Sequence, residues 1–392
     1  MITQSLDLNM FHGVQHIRIL YHGDQCLDGY SSGYLMTKFL FTAIAHRKDS
    51  NINFNEFFEM KTADSMFQNR KVKGSTNWNR AVSAIRDVIP LSANYKDALP
   101  GKYAGNTLYI LVDFSWSDDQ IQQVVNRGDK ICIIDHHKDR VEIARSWIEK
   151  DLIYGLVSTD YCGAVLTAFA IEQLSRMQSG KHNLNMDMLA QNVFPEEGIR
   201  KEYEFLRYVN SRDLWKKDVE GTDEVVAYMM LQIQNSLTTT RLNEKRQPLD
   251  AVFKDFEKIR DWNSIIKQGK ILLVQRKLII QSEITKHFEF TFVTQAKAET
   301  SGYYFKVPCV VLPREFRSDA AQALYEFLGV NIAANVTLRI ESQTVVMDVS
   351  LRSTKAVDVN EIAKRFGGGG HPTAAGFEYR IPLENFKGRG IS

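Results

Sequence analysis

Residues 16–35 read HIRILYHGDQCLDGYSSGYL, and the fold turns on them. The β-branched and aromatic run 16–21 is short enough to be a buried strand. The polar, Gly-bearing HGDQCLDG after it is a turn. From Tyr30 onward the apolar residues fall at helical spacing, with Leu35, Phe39 and Ala43 on one stripe. Strand, loop and helix in that order open an α/β unit. The loop is dense in ionisable groups, with His22, Asp24, Cys26 and Asp28 inside seven residues.

The same grammar repeats downstream. TLYILVDF (107–114) is an apolar run that ends on Asp113, and SDDQIQQVVNRG after it reads as a helix closing on Gly128. KICIIDHH (130–137) is a third run, ending on Asp135, His136 and His137. LIYGLVS (152–158) is a fourth, followed by a buried helix over 162–177. Short buried strands alternating with helices predict an α/β domain with a largely parallel sheet flanked by helices. Ligands of such sheets bind beyond the carboxyl ends of the strands, which is where these acidic and imidazole groups fall. Residues 178–260 have a mostly helical pattern, and 257–287 read as one long amphipathic connector helix. Beyond it FEFTFV, YYFKVPCVVL, ANVTLRIES and TVVMDVSLRS are strand-like, while SDAAQALYEFLG and NEIAKRF are helix-like. This predicts a first domain over 1–256, a helical linker over 257–287 and a smaller α+β domain over 288–392.

Composition narrows the function. Among 392 residues, 49 Lys and Arg nearly balance 47 Asp and Glu, so the net charge is +2. Extended nucleic-acid binding usually leaves a strongly basic footprint, whereas a short nucleotide needs only a local pocket. No N-terminal leader pattern is present, and no apolar run approaches the roughly 20 residues that span a bilayer. Cys26, Cys132, Cys162 and Cys309 form no C-x-x-C pair. That argues against a disulfide framework and a zinc knuckle, and for a reducing, cytoplasmic setting.

Several constellations carry chemistry. Asp135-His136-His137 at a strand end offers the oxygen and nitrogen donors that divalent metals prefer, and Asp135 can fix an imidazole tautomer. His22, Asp24 and Asp28, with two more strand ends, supply enough donors for two metals sharing carboxylates. Asp28 alone would also serve as a helix N-cap. In FGGGGHPTAAGF (366–377) the glycines free backbone N–H groups to approach an anion. Phe366 and Phe377 make that turn an ordered one. Arg352 in SLRS offers a fork matched to phosphate. Asp213 in YVNSRDLWKK is, by itself, an ordinary helix N-cap.

Taken together these strings resemble the DHH phosphoesterase family, in the branch with a C-terminal DHH-associated domain carrying a GGGH motif. That branch holds the nano-RNases acting on very short oligoribonucleotides and the single-strand-specific exonuclease of DNA repair. The segment from SLRS to NEIAKRFGGGGHPTAAGF looks nearly verbatim. IIDHH is similar to the third motif, Asp113 in LVDF to the second, and Asp213 in SRDLW to the fourth; YCGAVL resembles the small-residue segment after the DHH strand. The first motif runs roughly H-G-D-x-D-x-D-G, and here Cys26 stands at the middle Asp.

The resemblance implies two-metal hydrolysis of phosphodiesters, most naturally with two Mn2+, with Mg2+ or Co2+ as alternatives. His22, Asp28 and Asp113, completed by Asp24 or Cys26, would hold one ion. Asp28, Asp113, His136 and Asp213 would hold the other. Asp135 would orient a ligand, and His137 would lie near the scissile phosphate. Arg352, Gly368, Gly369, Gly370 and His371 would take a substrate phosphate or base, with the active site in an interdomain cleft. The implied substrate is a very short oligonucleotide such as linear diguanylate, with no membrane partner; a long connector helix permits a homodimer. Rival readings are an exonuclease on longer strands, a cyclic-dinucleotide or 3′-phosphoadenosine phosphate hydrolase, and a catalytically silent nucleotide-binding module. The near-zero charge favours the short substrate over a basic, aromatic-lined channel. Ligand histidines near their ordinary pKa of about 6.5 place the acid limb of activity near pH 6.

Overall fold

The computed structural model describes residues 2–23, 26–45, 75–95, 97–100, 105–181, 185–194, 203–216, 218–243, 261–294 and 302–383. They form two compact units, Met1–Lys270 and Ile271–Ser392.

The first unit is built on a six-stranded sheet. Its strands are β1 (Thr3–Ser5), β2 (His16–His22), β3 (Asp87–Ala93), β4 (Thr107–Val112), β5 (Lys130–Asp135) and β6 (Tyr154–Val157). They lie in the order β1-β6-β5-β4-β2-β3. All neighbours are parallel except β1, which pairs antiparallel with β6. The central strands are buried on both faces, which is why they read as unbroken apolar runs. Strand alternation sorts their side chains. Ile17, Ile19, Leu108, Ile110, Val112, Cys132 and Ile134 enter one core with helices α1 (Leu27–Ala45) and α5 (Gly163–Gln178). Leu20, Tyr109, Leu111, Ile131 and Ile133 enter the other, against α3 (Asp118–Asn126) and α4 (Lys138–Ile148). Three short helices and a long one complete the described part: α2 (Thr76–Ala81), α6 (Met186–Val193), α7 (Phe205–Asp213) and α8 (Thr222–Asn243).

The start of α3 shows local sequence fixing an element. Ser117 Oγ accepts from the Gln120 N–H while the Gln120 side chain accepts from the Ser117 N–H. This reciprocal cap satisfies two orphan donors of the first turn.

The second unit has a mixed sheet of β7 (Phe288–Val293), β8 (Tyr304–Val311), β9 (Ile332–Glu341), β10 (Thr344–Ser353), β11 (Gly369–His371) and β12 (Ala374–Pro382). Their order is β11-β12-β10-β9-β8-β7, with only β8 and β9 parallel. The boundary between units falls inside α9 (Trp262–Ile284); of the linker helix expected over 257–287, residues 257–260 lie outside the described residues. Its Ile265 belongs to the first core, and Ile280 and Ile284 pack with α10 (Arg317–Leu328) on one sheet face. Helix α11 (Val359–Arg365) covers the other through Val359 and Ala363. Among the described residues, no helix is long and apolar enough to cross a membrane.

Candidate metal centre

In the first unit the carboxyl ends of β2, β4 and β5 converge. Asp113 follows β4 directly and has φ of 52°, in the left-handed region that Asp tolerates better than most residues. Its N–H donates to the Ile134 carbonyl at 2.9 Å, so β5 fixes the turn that aims its carboxylate. Asp113 is completely buried. Its Oδ1 lies 3.1 Å from His136 Nε2, and its Oδ2 lies 3.6 Å from His22 Nδ1. The Cys26 thiol donates to Oδ2 at 3.4 Å.

Asp28, in the first turn of α1, reaches across to the start of α5. It accepts from the Gly163 and Ala164 N–H groups, both at 2.7 Å. The N-cap reading of Asp28 is thereby corrected: it serves the N-terminus of a different helix. His136 Nε2 is 3.5 Å from Asp28 Oδ2 and 3.4 Å from Asp213 Oδ2. Asp213 is the last residue of α7, so the N-cap reading of that residue is also corrected. A carboxylate at a helix C-terminus opposes the dipole.

Asp135 is fully buried and fully engaged. One oxygen accepts from the His136 N–H at 2.7 Å and from His137 Nδ1 at 2.8 Å, and the other accepts from Ser115 Oγ at 2.6 Å. Asp135 therefore positions the two histidines. Tyr95, on the loop after β3, stacks edge-on at 5.4 Å from His22 and 5.8 Å from His137, with the Arg140 guanidinium over its ring. Tyr95 and Ser115 were not singled out in the sequence, and the α5 N-terminus was marked only as the small-residue string YCGAVL. The available signal for Tyr95 was its place after a strand, but that strand holds Pro90 and Ser92 and was not read as one. Asp24, expected as an alternative ligand, lies outside the described residues.

Two glycines allow this convergence. A Cβ at Gly29 would sit 2.0 Å from the His22 carbonyl oxygen, and one at Gly163 would sit 2.6 Å from the Asp113 Cβ.

The donors fall into sets whose atoms all lie within 4.8 Å of one another. One is His22, Cys26 and Asp113; another is Asp28, His136 and Asp213; a third is Asp113, Asp135, His136 and His137. Asp28, expected to serve both ions, groups here with His136 and Asp213. Among the described residues, Asp113 Oδ1 and His22 Nδ1 are buried without completing a hydrogen bond. Burial and the charges of Asp113 and Asp213 hold the Asp28 carboxyl above its ordinary range, and burial raises Asp213 likewise. Orphaned donors, crowded carboxylates and imidazoles fit divalent cations.

The same charges set a pH dependence. Burial alone would lower His136, but the adjacent Asp113 and Asp28 outweigh it and raise it to about 10. His137 is raised to about 9, with burial opposing and Asp135 prevailing. For Asp113 burial pushes upward, yet the imidazoles of His136 and His22 hold it well below the carboxylate range. Raised histidines stabilise the cation-free fold fully below about pH 6.5, and this contribution is lost as pH rises through about 9 to 10. A cation taking His136 Nε2 displaces a proton. Its affinity should therefore climb by up to roughly tenfold per pH unit between about pH 6 and 9. Calorimetric titration in buffers of different ionisation enthalpy checks this, and a flat affinity would remove His136 as a ligand.

In the second unit, β11 and β12 form a hairpin over the glycine-rich string. Gly369, Gly370 and His371 are exposed, and Gly368 is half-buried. The Gly367 and Gly368 N–H groups donate to α11 carbonyls of Lys364 and Ala363, so the four glycines are not all free to face an anion. Phe366 and Phe377 stack at 4.4 Å, giving the ordered turn that was expected. His371 pairs with Ala374, Ala374 with Arg352, and Arg352 with Ala333. Paired residues share a sheet face, so Arg352 and His371 flank a small alanine in one row. Arg352 donates to Ser318 Oγ at 2.6 Å and to the Leu351 carbonyl at 2.7 Å.

Residues 314–386, which contain this row and hairpin, match the DHHA1 domain. The second unit therefore carries a DHHA1 domain. Asp135-His136-His137 closes β5 in the first unit. The chain is 23% identical over 366 residues to Uncharacterized protein R106 of Acanthamoeba polyphaga mimivirus, covering 92% of this chain and 67% of that protein. Among solved structures it is similar to an uncharacterized protein from Helicobacter pylori G27, with 16% identity, 93% of each chain covered and a TM-score of 0.35. It is also similar to the pGpG-specific phosphodiesterase PggH from Vibrio cholerae, with 12% identity, 95% of each chain covered and a TM-score of 0.38.

Proposed function

We propose that this protein is a divalent-metal-dependent phosphodiesterase of the DHH family that hydrolyses very short oligonucleotides, dinucleotides such as linear diguanylate among them. The observation that carries the reading is Asp113, a buried carboxylate in contact range of His22, Cys26 and His136 at the convergence of three strand ends. His22, Cys26 and Asp113 would hold one ion, and Asp28, His136 and Asp213 a second, with Asp113 close to both sets. Bound divalent cations supply Lewis acidity and a water activated near neutral pH.

The protein's own groups do the rest. Asp135 takes His137 Nδ1 and leaves Nε2 as the atom available to a phosphate oxygen. With Nδ1 held by Asp135, His137 can present Nε2–H to the developing negative charge, and the Asp135 carboxylate favours the protonated ring. Tyr95 shields His22 and His137 from water on one side. Trp215, two residues beyond Asp213, is 63% exposed with φ of 53° and offers a face on which a base can stack. Arg352 and His371 are assigned as substrate contacts, by their shared row and by the chemistry of a guanidinium toward phosphate. The net charge of +2 favours a short substrate over a long polyanion.

A digest of 5′-labelled RNAs of about two to ten nucleotides, linear diguanylate included, with Mn2+ or Zn2+ and resolved by length, tests the substrate. Turnover confined to the shortest species is the expected result. Progressive shortening of the long strands would replace the reading with an exonuclease. Binding without cleavage under either cation would replace it with a nucleotide-binding module.

A further inference from the structure

We infer that the His22–Cys26–Asp113 set binds its cation through the Cys26 sulfur and selects a borderline, thiophilic ion such as Zn2+ or Co2+ over Mn2+ or Mg2+, while the Asp28–His136–Asp213 set takes the harder ion. The inference rests on the metal-centre reading and adds the identity of the cation and the division between the two sets.

A cysteine is most often a small apolar filler, and Cys26 is not one. It is absent from the apolar cores of the first unit. Its charged neighbours are the carboxylates of Asp113, Asp28 and Asp213. Its thiol donates to Asp113 Oδ2 at 3.4 Å, and the Gly29 N–H donates to its sulfur at 3.4 Å. A backbone N–H aimed at sulfur favours electron density there. His22 Nδ1 is buried, faces the same Oδ2 of the fully buried Asp113 at 3.6 Å and completes no hydrogen bond. One nitrogen, one sulfur and one carboxylate oxygen within 4.8 Å of one another make a compact mixed donor set.

Ligand softness then decides the ion. Thiolate with imidazole suits zinc and its neighbours, while manganese and magnesium favour oxygen-rich sites. The second set has two carboxylates and one imidazole and no sulfur. On ligation the Cys26 thiol releases its proton to solvent and the sulfur lone pair goes to the cation, with no change of oxidation state.

The test uses full-length, metal-depleted protein and Co2+ as the spectroscopic probe, followed by competition between Zn2+ and Mn2+. The wild type should show a near-ultraviolet sulfur-to-cobalt charge-transfer band together with visible d–d bands. Cys26→Asp and the nearly isosteric Cys26→Ser should each lose the charge-transfer band and keep d–d bands. In Cys26→Asp the preference for Zn2+ over Mn2+ should fall by about 100-fold. Visible bands without charge transfer in the wild type would overturn sulfur ligation and leave the metal-centre reading standing. A charge-transfer band that survives in both variants would also overturn it, since the sulfur would then come from another thiol such as Cys162, buried beside Asp28. No binding of Co2+, Zn2+ or Mn2+ by folded wild type would remove the metal-centre reading itself.

Discussion

Asp113→Asn should reduce dinucleotide turnover by about 1,000-fold or more, roughly 4 kcal/mol of transition-state stabilisation, with circular dichroism unchanged. The size follows from where the carboxylate sits. It lies 3.1 Å from His136 and 3.6 Å from His22, and it accepts from Cys26. It is therefore close to both donor sets, and removing its charge weakens both. Asn is the informative substitution because it tolerates the left-handed backbone that Asp113 adopts at φ 52°. Asp113→Ala would add backbone strain to the lost ligand. Cys26→Ala should be milder, because it deprives only one set of a donor. Residual rates within about tenfold of wild type for Asp113→Asn would displace Asp113 from the centre.

Gly163→Ala should be nearly as damaging, although it adds a single methyl group to a residue that bears no charge. Its new Cβ would meet the Asp113 Cβ at 2.6 Å, Oδ1 at 2.7 Å and Cα at 2.9 Å. The neighbour cannot swing away, because the contact includes backbone and because the Asp113 N–H is held by Ile134. Moving α5 instead would break the two N–H bonds that Gly163 and Ala164 give Asp28. Either way one donor set shifts relative to the other. Overpacking of this kind costs about 3 kcal/mol, or roughly 6–12 °C in Tm for a unit of this size. Turnover should fall at least about 100-fold even at temperatures where the variant is fully folded. A variant with wild-type turnover would mean that Asp113 and α5 do not define the site. Tm and initial rates on the same preparation decide it.

These positions also show what a sequence can and cannot disclose. The buried central strands were legible because parallel strands covered on both faces must be apolar throughout, and TLYILV and KICIID are. The convergence of Asp113, Asp135, His136 and His137 followed from that register. β3 was not legible. It lies at the sheet edge, where Pro90 costs little and Ser92 is exposed. With the strand unseen, Tyr95 was unseen too. The three-residue β1 is too short for any period to show. For Asp28 and Asp213 a capping role stood beside the ligand reading, because a capping Asp and a ligating Asp have the same letter; only the partner distinguishes them, and here the partners are the α5 N–H groups and His136. The small-residue string YCGAVL was noted only as a resemblance; that Gly163 lies against Asp113 is visible only in the structure.

The most direct test of the central claim is metal content against activity. Full-length protein stripped of metal and dialysed against limiting Mn2+ and Zn2+ should retain about two divalent ions per chain, and dinucleotide hydrolysis should return as they bind. Asp113→Asn should retain fewer and recover no hydrolysis. A folded wild-type chain that binds neither ion, or that cleaves equally well in the presence of chelator, would contradict the account.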